Sequence, residues 1–236
     1  MGAIFDYSRT LFEKSHADGL QNVAGVTSQL GLLQPADRIL ADDERGTIVY
    51  RPAVFSGPES DALFERLLNG IPWSHDSVWM YDRPVGVPRL RMSYEDVSAL
   101  PAPLQEVRER VEALEGAAFN RIGLNLYRDH NDSVAWHSDH EEMMVERPTV
   151  VLVSLGADRP MDIRERANHR KRWRMTLEAG SLLVMRGLAQ RNYEHRIMKL
   201  PAPTQPRISV ALRQYAPPGS PPQACAQCAG AKAKRR

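Results

Sequence analysis

The chain has 236 residues, of which 42% are hydrophobic and 25% charged, and this length suits one large domain or a domain with extensions. No apolar stretch approaches the roughly 18 residues that a membrane helix requires, and the N-terminus lacks the basic and apolar regions of a secretory signal. The net charge is only +2. The two cysteines are close together near the C-terminus, so we expect a reduced, cytoplasmic protein. Without a long apolar stretch, we expect no membrane partner.

The first part of the chain predicts an extension followed by a strand and a helix. Residues 1–45 have no clear hydrophobic period, and we interpret them as an N-terminal extension. The segment GTIVYRPAVF then has the composition of a strand that enters the domain. The next segment, SGPESDALFERLLNGIPW, has apolar residues at helical spacing. Ser60 is its expected N-cap and Gly70 its expected end.

A second helix and a series of strands are predicted to follow. The helix is expected in PAPLQEVRERVEALEG, with Gly116 as its stop. From Phe119 onward the pattern changes to short apolar runs that are separated by turn residues. These runs are FNRIGLNLYR, VAWHSD, TVVLVSLG, PMDIRE, RWRMTLE, SLLVMRG and RISVALRQY. Helices followed by about eight strands predict an α+β fold in which two or more helices support a double-sheet jelly roll.

The C-terminal end has the composition of a disordered, basic tail. We therefore expect a folded domain at residues 46–216 and a tail at residues 217–236, which is rich in Pro and Ala. The tail contains Cys225 and Cys228 as a single CxxC, which is half of a zinc site. Because the sequence offers no second pair, we interpret these cysteines as incidental.

A candidate metal site begins in the run VAWHSD, which holds His137 and Asp139 two residues apart. In a strand, both side chains would point to the same side. A third ligand would come from a neighbouring strand, and His195 is the candidate. Two histidines and one carboxylate form the facial triad of non-haem Fe(II) oxygenases, which leaves coordination positions open. By themselves, however, His137 and Asp139 are equally consistent with a hydrogen-bonded core histidine and an ordinary loop acid.

The run RISVALR adds a second indication of the same chemistry. As a strand it places Arg207, Ser209, Ala211 and Arg213 on one face. Arginines that face a barrel interior need anionic partners, and a dicarboxylate bound to the metal would supply them. The alternative is an edge strand whose arginines face solvent. The combination of HxD, a distant histidine and this strand is much rarer by chance than any one part.

These stretches resemble the AlkB family of Fe(II)/2-oxoglutarate dioxygenases. The resemblance covers FNRIGLNLYRDHNDSVAWHSDHEE, VSLGADRPMDIRE, GSLLVMRGLAQRNYEHRI and PRISVALR, and VPRLRMSYED extends it upstream. It implies Fe(II), 2-oxoglutarate and O2 as cofactors, with the three metal ligands His137, Asp139 and His195. The residues that it implies for 2-oxoglutarate are Asn125, Tyr127, Arg207, Ser209 and Arg213. Ser209 stands where the family commonly has Asn.

The resemblance also implies a substrate class. Such enzymes oxidise N-alkyl groups on nucleobases of the 1-methyladenine and 3-methylcytosine type in DNA or RNA, and release an aldehyde. Glu141 would contact the base, and Trp73 and Tyr94 lie where substrate lids occur. The family's aromatic segment after this stretch is missing, because SYED continues directly into VSALPAPL. We therefore expect a monomer that acts on alkylated single-stranded DNA or RNA, since duplex substrates must be flipped.

Basic residues support a nucleic-acid partner. The segment IRERANHRKRWR has six basic residues and one acid, and no acid follows Glu194. These residues are candidates for phosphate contacts. Two alternatives remain open at this point. One is the same oxygenase chemistry on a protein or small-molecule substrate, and the other is a nucleic-acid binder that has lost catalysis.

Overall fold

The structure is a computed structural model, and it describes residues 35–80, 82–139 and 143–220. Two antiparallel sheets form its centre. A third sheet has only two strands, β3 and β4, which span Ser77–Met80 and Arg83–Gly86. Within the described residues, no helix combines the length and the apolar character needed to cross a membrane.

The larger sheet has seven strands in the order β1-β2-β11-β8-β13-β6-β5. Their bounds are β1 Arg38–Asp43, β2 Gly46–Arg51, β5 Leu90–Tyr94, β6 Arg121–Tyr127, β8 Thr149–Gly156, β11 Leu182–Arg186 and β13 Arg207–Arg213. The smaller sheet has four strands in the order β10-β9-β12-β7. Their bounds are β7 Val134–His137, β9 Arg159–Glu165, β10 Arg172–Leu177 and β12 Tyr193–Ile197.

Two long helices precede most of the strands. Helix α1 spans Gly57–Gly70 and helix α2 spans Ala102–Glu115, while the short α3 spans Ala189–Asn192. Both predicted helices are confirmed, and so is the stop at Gly116, which has a φ of 62° and the left-handed conformation that glycine favours.

The predicted N-cap of α1 is wrong. Helix α1 begins at Gly57, three residues before Ser60, and the Ser60 side chain is fully buried in the helix. The cap is Ser56, because Glu59 Oε2 accepts hydrogen bonds from the Ser56 backbone N at 2.8 Å and from Ser56 Oγ at 2.9 Å. A serine followed three residues later by glutamate is a capping box, and this spacing identifies the helix start in the sequence.

Two apolar cores lie on the two faces of the larger sheet. One core packs α1 and α2 against this sheet through residues such as Leu67, Val107 and Ile208. The other core joins the two sheets through residues such as Tyr50, Leu152 and Ile163. The alternation of side chains along each strand feeds both cores. Helices on one face of two packed antiparallel sheets confirm the predicted jelly-roll core.

The N-terminal boundary differs from the expected one. Strand β1 lies within the expected extension at 1–45, yet it pairs antiparallel with β2 from Arg38 to Asp43. The hairpin satisfies the backbone groups of β2 at the sheet edge, so the sheet begins at β1. Residues 1–34 and 221–236, which hold most of the expected extension and tail and both cysteines, lie outside the described residues.

We expect Glu115→Ala to destabilise the protein by about 3 kcal/mol, because two arginines would lose a buried carboxylate partner. The Glu115 side chain is fully buried and pairs with Arg51 Nη1 at 3.0 Å and with Arg186. Glu106→Ala is the matched control, since Glu106 is 58% exposed and pairs with Arg66 at the helix surface. Urea unfolding of both variants tests this. Equal stability losses would contradict it.

Candidate metal centre and cosubstrate pocket

Three side chains of ligand type converge at one end of the smaller sheet. Strands β7 and β12 are neighbours, and His137 lies directly opposite His195 in their register. Asp139 follows two residues after the end of β7. One ligand atom from each of these residues lies within 4.8 Å of the others, and the imidazole centroids are 4.4 Å apart. The structure therefore brings the three predicted metal ligands together.

Both histidines are held as neutral imidazoles. Burial lowers the pKa of His137. The pKa of His195 is lowered to about 3, mainly by burial and to a smaller extent by the nearby His137. The Nδ1 atom of His137 donates to the carbonyl oxygen of Ala135 at 2.9 Å, which leaves Nε2 with a free lone pair. Two neutral imidazoles and a carboxylate are a donor set that fits Fe(II).

The carboxylate of Asp139 is ionised and fixed in place. Burial alone would raise the pKa of Asp139, but the Arg213 guanidinium holds it well below its usual range. Arg213 donates from Nε to Oδ2 at 2.8 Å and from Nη2 to Oδ1 at 3.0 Å. The backbone N of Asp139 also donates to Gln190 Oε1 at 2.9 Å. The contacts on its carboxylate and on its backbone N together fix the orientation of Asp139 relative to the histidines.

The predicted alternation of strand β13 is confirmed. Ile208 packs in the core beneath the helices, whereas Ala211 packs in the core between the two sheets. On the face between the sheets, Arg207 lies opposite Tyr127 and Ser209 lies opposite Asn125 in the register with β6. All of the residues predicted to bind 2-oxoglutarate therefore lie on two adjacent strands and one face.

Arg207 is a buried cation without a complete set of partners. Its side chain is 1% exposed, and burial lowers its pKa to about 10. Nη2 donates to Ser154 Oγ at 2.8 Å, while Nε and Nη1 have no hydrogen-bond partner among the described residues. Burying unpaired guanidinium donors is unfavourable, and a carboxylate is the group that satisfies them. This arrangement fits the distal carboxylate of 2-oxoglutarate.

The sequence did not single out Arg159, a second arginine beside Arg207. Arg159 is fully buried and donates to three backbone carbonyls, those of Asp129, Asp132 and Met198. The guanidinium carbons of Arg159 and Arg207 lie 5.6 and 5.5 Å from the Tyr127 ring centroid. Arg159 therefore ties the loop after β6 to the cosubstrate pocket. The signal available in the sequence was its position in VSLGADRPMDIRE, a stretch that carried the resemblance, directly before the predicted strand PMDIRE.

Arg89 was also missed. Its Nε donates to Asn125 Oδ1 at 2.8 Å and its Nη1 to the carbonyl oxygen of Ser133 at 3.2 Å. Burial lowers the pKa of Arg89. The residue orients the Asn125 amide at the edge of the site. Its position in VPRLRMSYED, a stretch that carried the resemblance, was the signal available in the sequence.

A cavity of about 790 Å³ opens over the metal ligands. Its lining is mostly polar and includes Arg89, Asn125, Trp136, His137, Asp139, Arg166, Glu194, Arg213 and Tyr215. Tyr127, Arg207 and Ser209 are buried on the same sheet face. A cavity of this size accommodates a cosubstrate together with part of a larger substrate.

Two of the predicted substrate residues are not at the site. Trp73 packs against the core between helices and sheet, and its Nε1 donates to the carbonyl oxygen of Leu68 at 3.0 Å. Tyr94 packs against the same core, because strand alternation turns it away from the cavity that Ser93 lines. Glu141, the third predicted substrate residue, lies outside the described residues.

The matching family model is described as the 2OG-Fe(II) oxygenase superfamily and covers residues 47–214. The cow (Bos taurus) α-ketoglutarate-dependent dioxygenase alkB homolog 3 is 30% identical over 67% of this chain and 63% of its own length. The DNA oxidative demethylase ALKBH2 of Arabidopsis thaliana is 25% identical over 82% of this chain and 74% of its own length. The chain thus spans less than two thirds of the alkB homolog 3 relative.

Solved structures share the fold. The structure of OsALKBH1 matches with a TM-score of 0.51 at 15% identity, over 71% of this chain and 97% of that chain. The non-haem α-ketoglutarate-dependent epimerase SnoN matches with a TM-score of 0.52 at 16% identity, over 75% of this chain and 83% of that chain. At these identities the likeness concerns the fold alone.

Proposed function

Because the chain belongs to the AlkB family within the 2OG-Fe(II) oxygenase superfamily, we propose that it is an Fe(II)- and 2-oxoglutarate-dependent dioxygenase that removes N-alkyl groups from nucleobases. The observation that carries this proposal is a metal-ligand triad next to a sheet face that also holds a buried arginine. His137, Asp139 and His195 offer a facial triad, and the buried Arg207 offers unpaired donors to a carboxylate.

Fe(II) fits the triad, and 2-oxoglutarate fits the arginine strand. When bound, iron and 2-oxoglutarate would supply the oxidising chemistry, in which one atom of O2 is inserted into a C–H bond of the N-alkyl group and the other enters succinate as 2-oxoglutarate loses CO2. The hydroxylated N-alkyl group then leaves as an aldehyde, and the unmodified base remains. The family implies iron and 2-oxoglutarate, while the use of O2 is part of the proposal.

The residues of this chain position and desolvate the reactants. Arg213 orients the Asp139 carboxylate, and Gln190 holds the Asp139 backbone N. Arg207 binds the distal carboxylate of the cosubstrate next to Tyr127, in a part of the fold where both side chains are buried. Low local solvent exposure strengthens these ionic contacts.

We further propose that the substrate is alkylated single-stranded DNA or RNA and that the protein acts as a cytoplasmic monomer. Relatives named as DNA oxidative demethylases support a nucleic-acid substrate. Two aromatic residues expected in a substrate lid are packed in the core instead. With fewer aromatic contacts available to hold an extruded base, duplex flipping is expected to be inefficient.

The test is formaldehyde release from oligonucleotides that contain 1-methyladenine or 3-methylcytosine, in single-stranded and duplex DNA and in RNA. We expect release that depends on iron and 2-oxoglutarate, with single strands as the better substrates. Succinate production without formaldehyde from any of these would instead favour a protein or small-molecule substrate. Absence of both products would favour a binder without catalysis.

Glu141→Ala is expected to lower formaldehyde release about tenfold or more, while 2-oxoglutarate binding stays unchanged. The resemblance implies that this acid contacts the substrate base, and a hydrogen bond to a charged group contributes about 1.5–3 kcal/mol. Glu141→Gln is the matched control, since it keeps the shape and one acceptor oxygen. The measurement is the Michaelis constant for each substrate. A raised constant for 2-oxoglutarate instead would show that Glu141 serves the cosubstrate.

A further inference from the structure

The smaller sheet has an outer face that carries a regular array of arginines. Met161 and Ile163 of β9 pack into the core between the sheets, so the alternate residues of that strand point outward. The same alternation applies to β10 and β12. The residues so placed, with Trp136 from β7, define the arginine face: Asp162, Arg164, Arg172, Arg174, Glu194 and Arg196.

The strand register sets charges side by side on this face. Asp162 lies opposite both Arg174 and Arg196, and it accepts from their Nε atoms at 2.6 and 2.9 Å. Glu194 lies opposite Arg164 and accepts from its Nε at 2.5 Å. Two carboxylates thus pair with three guanidinium groups on this face. With Arg172 as the fourth arginine, opposite Arg164, the arginine face has a net positive charge.

Trp136 gives the array a rigid support. The guanidinium carbons of Arg164 and Arg196 lie 4.0 and 4.5 Å from the centroid of its ring. Such cation–π contacts and the flanking ion pairs restrict the rotamers of both arginines. Groups that are already ordered lose less entropy when they bind a ligand. Their remaining N–H groups suit phosphate oxygens.

The arginine face adjoins the metal cavity. Trp136 and Glu194 belong to the arginine face, yet both also line the cavity. The reason is that β7 is the edge strand of the smaller sheet, and His137 faces inward while the adjacent Trp136 faces outward. Arg166, which contacts Ser138 Oγ, also lines the cavity. A polynucleotide that lies on the arginine face can therefore pass over the edge strand β7 and place one nucleotide in the cavity.

We propose that the arginine face binds the sugar-phosphate backbone of a single-stranded nucleic acid whose alkylated base enters the metal cavity. Three strand spacings of about 4.8 Å separate β7 from β10. The face is thus roughly 14 Å across, the length of about four stacked nucleotides at 3.4 Å each. The contacts are to phosphate, so they carry no sequence preference. This inference rests on the proposed function, since it assigns the surface that holds its substrate.

The test compares two double variants that remove the same charge. Arg172→Ala/Arg174→Ala changes the edge of the arginine face, where the Arg174 side chain is 60% exposed. Arg66→Ala/Arg110→Ala is the control on the helix layer, and its arginines are 45% and 44% exposed and also ion-paired. Affinity for an unmodified single-stranded oligonucleotide is measured by fluorescence anisotropy between about 50 and 200 mM salt.

The arginine-face variant is expected to bind about tenfold more weakly at the lower salt concentration. The slope of log affinity against log salt should fall by about 1.4, at about 0.7 for each lost phosphate contact. The control should keep the wild-type slope. Equal slopes for wild type and the arginine-face variant would overturn the inference, and an equal decrease in both variants would reduce it to a general charge effect.

Turnover separates this inference from the proposed function. On a methylated oligonucleotide, the arginine-face variant should have a raised Michaelis constant and a nearly unchanged kcat. On a methylated mononucleotide, which has no neighbouring phosphates, the variant should have the same Michaelis constant and kcat as wild type. If wild type releases no formaldehyde from any methylated substrate, the proposed function fails. Anisotropy on the unmodified strand then still decides whether the arginine face binds nucleic acid.

Discussion

His137→Ala and His195→Ala are each expected to lower 2-oxoglutarate turnover by more than about a hundredfold, since even groups that only support metal ligands contribute ten- to a hundredfold. Each histidine is one of three ligand-type residues within 4.8 Å. Both are neutral imidazoles, so their removal leaves no charge unpaired. Metal affinity should fall along with turnover. Isothermal titration with Mn(II) measures the first, succinate release the second, and circular dichroism verifies the fold.

Asp139→Ala is expected to do more than abolish turnover. Its carboxylate accepts two hydrogen bonds from Arg213, whose side chain is only 17% exposed. Truncation would leave that cation without a partner and destabilise the apoprotein by about 3–5 kcal/mol. Asp139→Asn is the matched control, because its amide oxygen can still accept from Arg213 although it is a poor metal ligand. Wild-type turnover in either histidine variant, or equal stability of the two Asp139 variants, would contradict this account.

Arg207→Met is expected to weaken 2-oxoglutarate binding by about 2–5 kcal/mol, which is at least about thirtyfold in dissociation constant. The reason is the loss of a buried, charge-assisted contact to the distal carboxylate. The same variant should leave the apoprotein as stable as wild type or more so. Arg207 has two donor atoms without partners among the described residues, and a methionine of similar length removes this cost.

The opposite signs of these two effects make the test specific. A substitution that merely damages the fold would lower both stability and affinity. Ser154→Ala is the control, since it removes only the hydroxyl that accepts from Arg207 Nη2 and should lower affinity by much less. Calorimetric titration of 2-oxoglutarate and urea unfolding give the two quantities. Unchanged affinity in Arg207→Met would show that the cosubstrate binds elsewhere.

Local sequence patterns determined the elements and most of the candidate site. The spacing of apolar residues predicted both long helices, and Gly116 predicted the end of one. Strand alternation was enough to place Arg207 and Arg213 on one face of β13. His137 and Asp139 converge as predicted, although Asp139 lies beyond the end of β7 and not in the strand that the prediction assumed. The inferences on the helices and on β13 succeeded because a period of two or 3.6 residues depends only on backbone geometry within one element.

Other features were decided by which strands became neighbours. The hydrogen bond from Arg213 to Asp139 joins residues that are 74 positions apart in the sequence. The contact of Arg159 with the Tyr127 ring depends likewise on the packing of β9 against β6. The lid positions expected for Trp73 and Tyr94 also depended on tertiary packing. Both rings pack instead against the core that helices α1 and α2 form with the larger sheet. A sequence pattern states that a side chain is apolar or charged, but not which partner meets it.

The arginine face also combines a feature that the sequence determines with one that only the tertiary structure determines. The segment IRERANHRKRWR was recognisably basic in the sequence. Only the antiparallel register of β10, β9 and β12 brought its arginines next to Asp162, Glu194 and Arg196 on one surface. A register shift at the β12–β7 pair also turned Trp136 outward while His137 faced the metal cavity. Charge is thus fixed by composition, whereas its arrangement depends on hydrogen bonds between strands that are distant in the chain.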